Sequence, residues 1–219
     1  MNIAIDGPAG SGKSTVAKIA AKELGFIYVD TGAMYRAMAY YCLQHGIDPK
    51  AQDAVEENCD KMDVSICYVS GEQQVLLNGE DVSKFIRTEE VSHATSVISA
   101  YPKVRETLLG LQRELAATRD VIMDGRDIGT NVLPHAECKI FLTASVETRA
   151  NRRYLEYKDK GETCDLEEIK KEIAERDARD MNREIAPLKQ AEDATLLDTS
   201  NLDIQQVVAV VKELAKKHA

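Results

Sequence analysis

The sequence predicts an α/β fold with a central parallel sheet, because short apolar segments alternate with helical ones. Residues 2–6 form the first apolar segment and residues 26–29 the second. Between them, apolar side chains from Val16 to Leu24 recur at helical spacing, and Gly25 is placed to end that helix. A chain of 219 residues is long enough for one domain that carries an insertion.

The later segments continue this alternation, with one interruption between residues 64 and 83. There the period changes to two, and Gly71 and Asn78-Gly79 mark turns, which predicts an antiparallel hairpin with a third short strand. Further strands are predicted at residues 121–123, 139–142 and 195–197. Further helices are predicted at residues 33–45, 86–100, 103–118, 146–158, 165–183 and 203–217.

Composition and charge narrow the classes of partner. The chain has 28 Lys and Arg against 37 Asp and Glu, a net charge of −9, which disfavours binding of a nucleic acid polymer or an anionic membrane. It lacks a long apolar span and a basic N-terminal leader, so we expect no membrane insertion and no secretion. The five cysteines form no Cys-x-x-Cys pair, and a reducing cytoplasm is the expected location.

The turn after the first strand carries a phosphate-binding motif. Residues 7–14 read Gly-Pro-Ala-Gly-Ser-Gly-Lys-Ser and match the P-loop pattern G-x-x-x-x-G-K-[ST] between a strand and a helix. Glycines let backbone N–H groups approach phosphate oxygens, and the helix N-terminus adds partial positive charge. Lys13 is expected to reach the β- and γ-phosphates, and the Ser14 hydroxyl to ligate Mg²⁺. The fold class is therefore a P-loop three-layer α/β fold, with a central parallel sheet, helices on both faces and a small antiparallel β insertion, to which the family resemblance described below adds a short lid.

A carboxylate is expected to complete the metal site together with the Ser14 hydroxyl. Asp124 ends the strand predicted at residues 121–123, and we expect it to hold Mg²⁺ directly or through water. Gly125 follows it, where many motor ATPases have a second carboxylate, and no Asn-Lys-x-Asp guanine motif occurs. These features disfavour a motor ATPase and a GTPase switch, although a nucleotide-dependent switch or ATPase module stays an alternative.

Arginines near predicted strand ends indicate the chemistry of the acceptor. Arg36 and Arg126 follow strands whose carboxyl ends are expected to face the same crevice as the P-loop. A planar guanidinium binds phosphate bidentately and stays charged. A phosphate acceptor is already ionised and needs no general base, so the arginines favour it. A kinase for UMP stays an alternative. So does a kinase for the hydroxyl of a small metabolite, in which Asp30 or Asp127 would be the base.

These motifs resemble the bacterial cytidylate kinase family of nucleoside monophosphate kinases over essentially the whole chain. The resemblance is carried by residues 5–14, which include Asp6 and the P-loop, and by the hairpin insertion. Five further segments carry it as well, which are residues 30–36, 86–91, 101–105, 124–130 and 175–183. It implies transfer of the γ-phosphoryl group of ATP to CMP or dCMP, with Mg²⁺ as cofactor. We expect a monomer made of one domain, divided into a core (1–60, 101–148, 184–219), a monophosphate-binding insertion (61–100) and a lid region (149–183).

The resemblance also implies roles for individual residues. The acceptor phosphate is expected to contact Thr31, Arg36 and Arg126, and the ribose to contact Arg176 and Asp180. Cytosine is expected to be read by Ser96, Arg105, Asp127 and Arg183, with Asp127 accepting from the exocyclic amino group. The expected catalytic residues are Lys13, Asp124, Arg126 and Arg152. The expected ATP site comprises Gly7, Pro8, Ala9, Gly10, Ser11, Gly12, Lys13, Ser14, Thr15, Arg149 and Arg152.

Overall fold

A computed structural model describes residues 1–218, which form two compact units. The first unit comprises residues 1–28 and the chain from residue 120 onward, and the second comprises residues 29–119. The predicted division into core, insertion and lid follows other boundaries and stays a prediction. Within residues 1–218, no helix is both long and apolar enough to cross a membrane.

A five-stranded parallel sheet has the order β2-β6-β1-β7-β8. Its strands are β1 (Asn2–Asp6), β2 (Ile27–Asp30), β6 (Val121–Gly125), β7 (Cys138–Thr143) and β8 (Thr195–Asp198). Strand β1 is central and pairs in parallel with β6, Asp6 opposite Gly125, and with β7. Nearly every residue of β1 and all of β6 are buried, as expected for a parallel sheet covered on both faces.

Four helices belong to the first unit: α1 (Lys13–Leu24), α6 (Val146–Asp159), α7 (Leu166–Asn182) and α8 (Ile204–Lys217). Buried side chains of α1 and α8, among them Val16 and Val211, form one apolar core with Ile3, Ile140 and Leu142 of the sheet. A five-residue π-helical turn, Ile128–Val132, follows β6. The sequence predicted no helix there, because a single irregular turn is too short to have a readable period.

The second unit combines four helices with a small antiparallel sheet. The helices are α2 (Thr31–Gln44), α3 (Gln52–Glu57), α4 (Glu89–Ile98) and α5 (Pro102–Thr118), with a 3₁₀ turn at Cys59–Lys61. The sheet, in the order β3-β4-β5, consists of β3 (Val64–Val69), β4 (Glu72–Leu77) and β5 (Glu80–Asp81). Helix α2 packs against α4, α5 and β4. The predicted hairpin with a third short strand and the predicted P-loop α/β fold class are both confirmed.

Two helix starts and one short helix differ from the prediction for local reasons. Helix α2 begins at Thr31, not residue 33, because the Asp30 carboxylate caps it by accepting from the Ala33 N–H at 2.9 Å. Helix α4 begins at Glu89, not residue 86, because the Thr88 side chain caps it by accepting from the Val91 N–H. Helix α3 was not predicted, since six residues give too little periodicity to read.

Candidate active site

The phosphate loop occupies the turn between β1 and α1. Gly7 has φ +154°, and a Cβ there would lie 2.0 Å from the backbone oxygen of Leu142, so only glycine fits beside β7. Gly12 has φ +90° and directly precedes α1. Lys13 is buried, and its Nζ donates to the Pro8 carbonyl at 3.3 Å, which places the ammonium group over its own loop. The backbone therefore has the form of a phosphate cradle at a helix N-terminus.

Two oxygen groups suited to Mg²⁺ lie side by side at this loop. The Ser14 hydroxyl donates to Asp124 Oδ2 at 2.7 Å, and the Tyr28 hydroxyl donates to Asp124 Oδ1 at 3.0 Å. Asp124 is buried at the end of β6. Hard oxygen ligands beside a phosphate cradle fit Mg²⁺, which is usually held by one or two protein ligands and the substrate phosphates. The structure thus brings the two predicted metal residues together.

Two arginines of helix α6, Arg149 and Arg152, contact the phosphate loop. Arg149 donates to the Ala9 carbonyl at 3.1 Å and to the Asp177 carboxylate through both terminal nitrogens, at 3.0 and 2.5 Å. It also donates to the Ala144 carbonyl, so the side chain is held on several sides. Arg149 therefore stabilises the phosphate loop through the Ala9 carbonyl. Its direct contact with ATP stays a prediction.

Arg152 contacts the loop one helical turn further along α6. Its guanidinium donates to the Ser11 carbonyl at 3.3 Å and to the Thr199 carbonyl at 2.8 Å. Thr199 is buried at the end of β8, and its hydroxyl lies 3.3 Å from the same Ser11 carbonyl. This arrangement holds a positive charge close to the phosphate loop, as the predicted catalytic role requires.

Arginines converge on a second carboxylate, Asp180 of α7. Arg126 Nε donates to Asp180 Oδ2 at 3.0 Å. Burial acts to raise the pKa of Asp180, but the charges of Arg126, Arg176 and Arg183 outweigh it and hold the pKa below its ordinary value. Asp180 is therefore ionised at neutral pH. The structure brings together three residues predicted to bind the acceptor, namely Arg126, Arg176 and Asp180.

Two of the predicted cytosine-reading residues are in direct contact. Arg183 donates from Nη2 to Asp127 Oδ1 at 3.3 Å and from Nε to the Ala186 carbonyl at 2.6 Å. Asn131 donates to the other carboxylate oxygen of Asp127 at 3.1 Å. Asp127 and Arg183 thus present a carboxylate acceptor next to guanidinium donors, a set that suits the edge of a pyrimidine base.

The remaining predicted acceptor residues lie in the second unit. Thr31 begins α2, and a Cβ at Gly32 would lie 3.5 Å from Arg36 Nη1, which places that guanidinium against the first turn of the helix. A helix N-terminus beside an arginine is suited to an anion. Arg105, in α5, is buried, donates to the Ser99 carbonyl at 3.0 Å and lies over the Tyr35 ring. Ser96 is half-buried on α4.

The turn that carries Thr31 is fixed by residues that the sequence did not single out. Gln73 of β4 accepts from the Asp30 N–H at 2.9 Å and donates to the Asp30 carbonyl at 3.2 Å. Arg87 donates to Asp30 Oδ2 at 2.9 Å. The antiparallel insertion therefore holds the start of α2 within the second unit.

The predicted lid region is a pair of helices with an apolar cluster of its own. Ala150, Ile169 and Ile173 are its buried members, and Tyr154, Tyr157 and Cys164 pack against them. Helix α6 continues through Asp159, one residue beyond the helix end predicted at residue 158. The connection ends at Asp165, whose side chain caps α7.

A phosphate loop on a parallel sheet, with Ser14 and Asp124 paired beside it and arginines close by, defines the chain as a P-loop kinase. A family model described as cytidylate kinase matches residues 3–217. The chain belongs to the cytidylate kinase family. It is a phosphotransferase, as the predicted resemblance implied.

Curated relatives and solved structures agree with this assignment. The chain is 52% identical over 217 residues to a cytidylate kinase of Lactobacillus gasseri, covering 99% of this chain and 94% of the relative. It is 52% identical over 218 residues to one of Streptococcus pneumoniae, covering 99% and 98%. A shikimate kinase structure from Bacteroides thetaiotaomicron has a TM-score of 0.51 at 13% identity, covering 99% and 98% of the two chains. At that identity the likeness concerns the fold alone.

Several residues of the site were missed by sequence reasoning. Tyr28, Asp177 and Thr199 make contacts with residues far away in the sequence, so no local pattern marks them. Asp6 was noticed only as part of a motif. Its signal was a charged residue inside the apolar first strand, where a buried carboxylate needs a partner.

Proposed function

We propose that this chain transfers the γ-phosphoryl group of ATP to CMP or dCMP, giving ADP and CDP or dCDP. Membership of the cytidylate kinase family over residues 3–217 carries this conclusion. The site chemistry agrees with it, because a phosphate cradle and an arginine-rich acceptor region serve transfer between two phosphates. The same arginines disfavour a hydroxyl acceptor, which would need a carboxylate base.

The donor side of the reaction is assigned to the first unit. Backbone N–H groups of residues 7–14 bind the phosphates of ATP, Lys13 neutralises charge on the β- and γ-phosphates, and Arg152 stabilises the charge that develops during transfer. Ser14 and Asp124 are the residues that would hold Mg²⁺. This ion would neutralise part of the negative charge on the phosphates of ATP.

The acceptor side is assigned through the family resemblance. Arg126, with Thr31 and Arg36, binds the phosphate of CMP, while Arg176 and Asp180 bind its ribose. Asp127, with Arg183, Ser96 and Arg105, reads cytosine. Uracil presents a carbonyl where cytosine presents an amino group, so the Asp127 carboxylate would meet another acceptor and lose its hydrogen bond.

A coupled assay of ADP formation tests this function. We expect turnover with CMP and dCMP, and at most slow turnover with UMP and AMP. The variant Lys13→Ala, which keeps the acceptor residues, should lose most activity with every acceptor. Turnover with UMP or AMP but not with CMP would overturn the assignment, and steady ATP hydrolysis without an acceptor would support an ATPase instead.

Closure of residues 158–164 over the nucleotides is part of the proposal, because a kinase must keep water from its phosphoryl group. Limited proteolysis of this segment should slow when ATP analogue and CMP are both bound, and an unchanged rate would count against closure. The monomeric state and the cytoplasmic location stay predictions, which sedimentation analysis and cell fractionation test.

A further inference from the structure

Asp6, the last residue of β1, carries a buried carboxylate directly before the phosphate loop. Its Oδ1 accepts from the Ile128 N–H at 2.7 Å, and its Oδ2 accepts from the Gly129 N–H at 2.7 Å. The residue is 4% exposed. One side chain thus satisfies two consecutive backbone donors of a segment more than 120 positions away in the sequence.

The segment that Asp6 holds is the one assigned to the acceptor. Asp6 lies opposite Gly125 in the sheet, so the next residues, Arg126 and Asp127, lie between this strand pairing and the two N–H groups that Asp6 binds. Arg126 and Asp127 therefore form a short segment that is held at one end by the strand pairing and at the other by Asp6. A shift of Ile128 or Gly129 would therefore be passed directly to the residues assigned to the acceptor phosphate and cytosine.

The opposite side of the segment is equally confined. A Cβ at Gly129 would lie 3.2 Å from Cδ of Lys139 and 3.4 Å from Asp6 Oδ2. Lys139 is itself fixed, because its Nζ donates to the Pro134 carbonyl at 2.6 Å and to the Asp193 carboxylate at 2.7 Å. Gly129 lies between Asp6 and Lys139, and an added Cβ would fit only if one of these neighbours moved by a few tenths of an ångström.

An acid in this position is costly for the fold. Burial raises the pKa of Asp6 to about 7, and the Asp127 charge acts in the same direction, while the Gly129 and Ile128 N–H groups and the Lys13 charge lower it. A buried carboxylate is unfavourable unless hydrogen bonds or opposite charges compensate for its lost hydration. The two N–H bonds are the contacts that define such a geometry.

We propose that Asp6 is a positioning residue, whose carboxylate fixes the loop after β6 and so sets the placement of Arg126 and Asp127 for CMP. This inference rests on the proposed function of those two residues. Asp6 directly precedes the phosphate loop, which begins at Gly7. Through Ile128 and Gly129 it would also affect how the acceptor side distinguishes cytosine from uracil.

The variant Asp6→Asn tests the proposal with little change in shape. Its amide has only one acceptor oxygen, so one of the two N–H groups loses its partner and faces an amide donor. We expect kcat/KM for CMP to fall roughly tenfold, and the preference for CMP over UMP to fall several-fold. The Kd for an ATP analogue should change less than twofold, because the backbone of residues 7–14 is unaltered.

A matched control separates positioning from general loss of stability. The variant Asp203→Ala removes the side-chain cap of α8 and so destabilises the fold through another helix. It should leave the CMP-to-UMP preference unchanged. If Asp6→Asn also leaves that preference and kcat/KM for CMP unchanged, Asp6 is structural only and the proposal is overturned.

A second variant decides the matter if Asp6→Asn does not fold. Gly129→Ala keeps the carboxylate but pushes the loop away from Lys139 and Asp6, and should lower kcat/KM for CMP and the CMP-to-UMP preference without weakening ATP binding. Amide hydrogen exchange at residues 128 and 129 should accelerate in both variants. Normal kinetics despite faster exchange would refute the role of Asp6. If the unaltered protein itself fails to phosphorylate CMP, the proposed function fails instead, so the two failures are distinguishable.

Discussion

The ion pair between Arg149 and Asp177 gives the sharpest test of how the phosphate loop is braced. Arg149 is 3% exposed and Asp177 8% exposed, and the two side chains share a bidentate contact between α6 and α7. The change Asp177→Asn keeps the shape of the acid but removes its charge. It leaves a buried guanidinium with a neutral partner and turns one accepting oxygen into an amide donor.

The expected loss follows from the burial of the pair. Removing one partner of a buried pair costs about 3–5 kcal/mol, and Asn keeps one accepting oxygen, so we expect about 3 kcal/mol. For a chain of 219 residues this loss lowers Tm by roughly 6–12 °C. Because Arg149 also donates to the Ala9 carbonyl, a looser guanidinium should raise KM for ATP more than KM for CMP.

Thermal unfolding and steady-state kinetics measure these two effects. The matched control is Glu213→Gln, which removes an exposed pair with Lys217 and should leave Tm nearly unchanged, because solvent screens that pair. If Asp177→Asn lowers Tm no more than Glu213→Gln does, the pair does not brace the fold. If the KM values for ATP and CMP rise equally, the pair does not act through the phosphate loop.

Three further predictions concern single residues. Asp127→Asn should lower kcat/KM for CMP tenfold or more with an unchanged Kd for ATP, since reading a base edge contributes about 1–3 kcal/mol; equal losses would make Asp127 structural. Ser14→Ala should raise the Mg²⁺ concentration needed for half-maximal activity roughly tenfold, and an unchanged Mg²⁺ titration would remove Ser14 from the metal site. Asp6 has a pKa of about 7 in the folded chain, above its ordinary 3.8, so the folded state holds a proton that the unfolded state has released and stability falls as pH rises from about 4 to 7. From pH 5 to pH 8 the unfolding free energy should therefore fall by about 3 kcal/mol more than in Asp6→Asn, and parallel pH curves would contradict this.

The fold could be predicted where a period or a turn motif is local. Alternating strands and helices, the hairpin between β3 and β4, and most boundaries follow from patterns within ten or twenty residues. The strand order β2-β6-β1-β7-β8 could not be predicted, because pairing between strands far apart in the sequence depends on how all five strands pack together. The π-helical turn at Ile128–Val132 was missed because it is short, and because the Asp6 carboxylate that accepts from its first two N–H groups lies far away in the sequence.

The sequence by itself determined the donor phosphate loop and the family resemblance. Residues 7–14 are contiguous, and the spacing of their glycines and lysine is a local pattern that predicts a phosphate cradle. Only the tertiary structure decided what each charged side chain contacts. Asp6 meets Gly129, Arg149 meets Asp177 and Arg152 meets Thr199 across 28 to 123 positions of sequence. Such contacts arise from the register of the sheet and the packing of helices, and burial then makes each of them strong enough to matter.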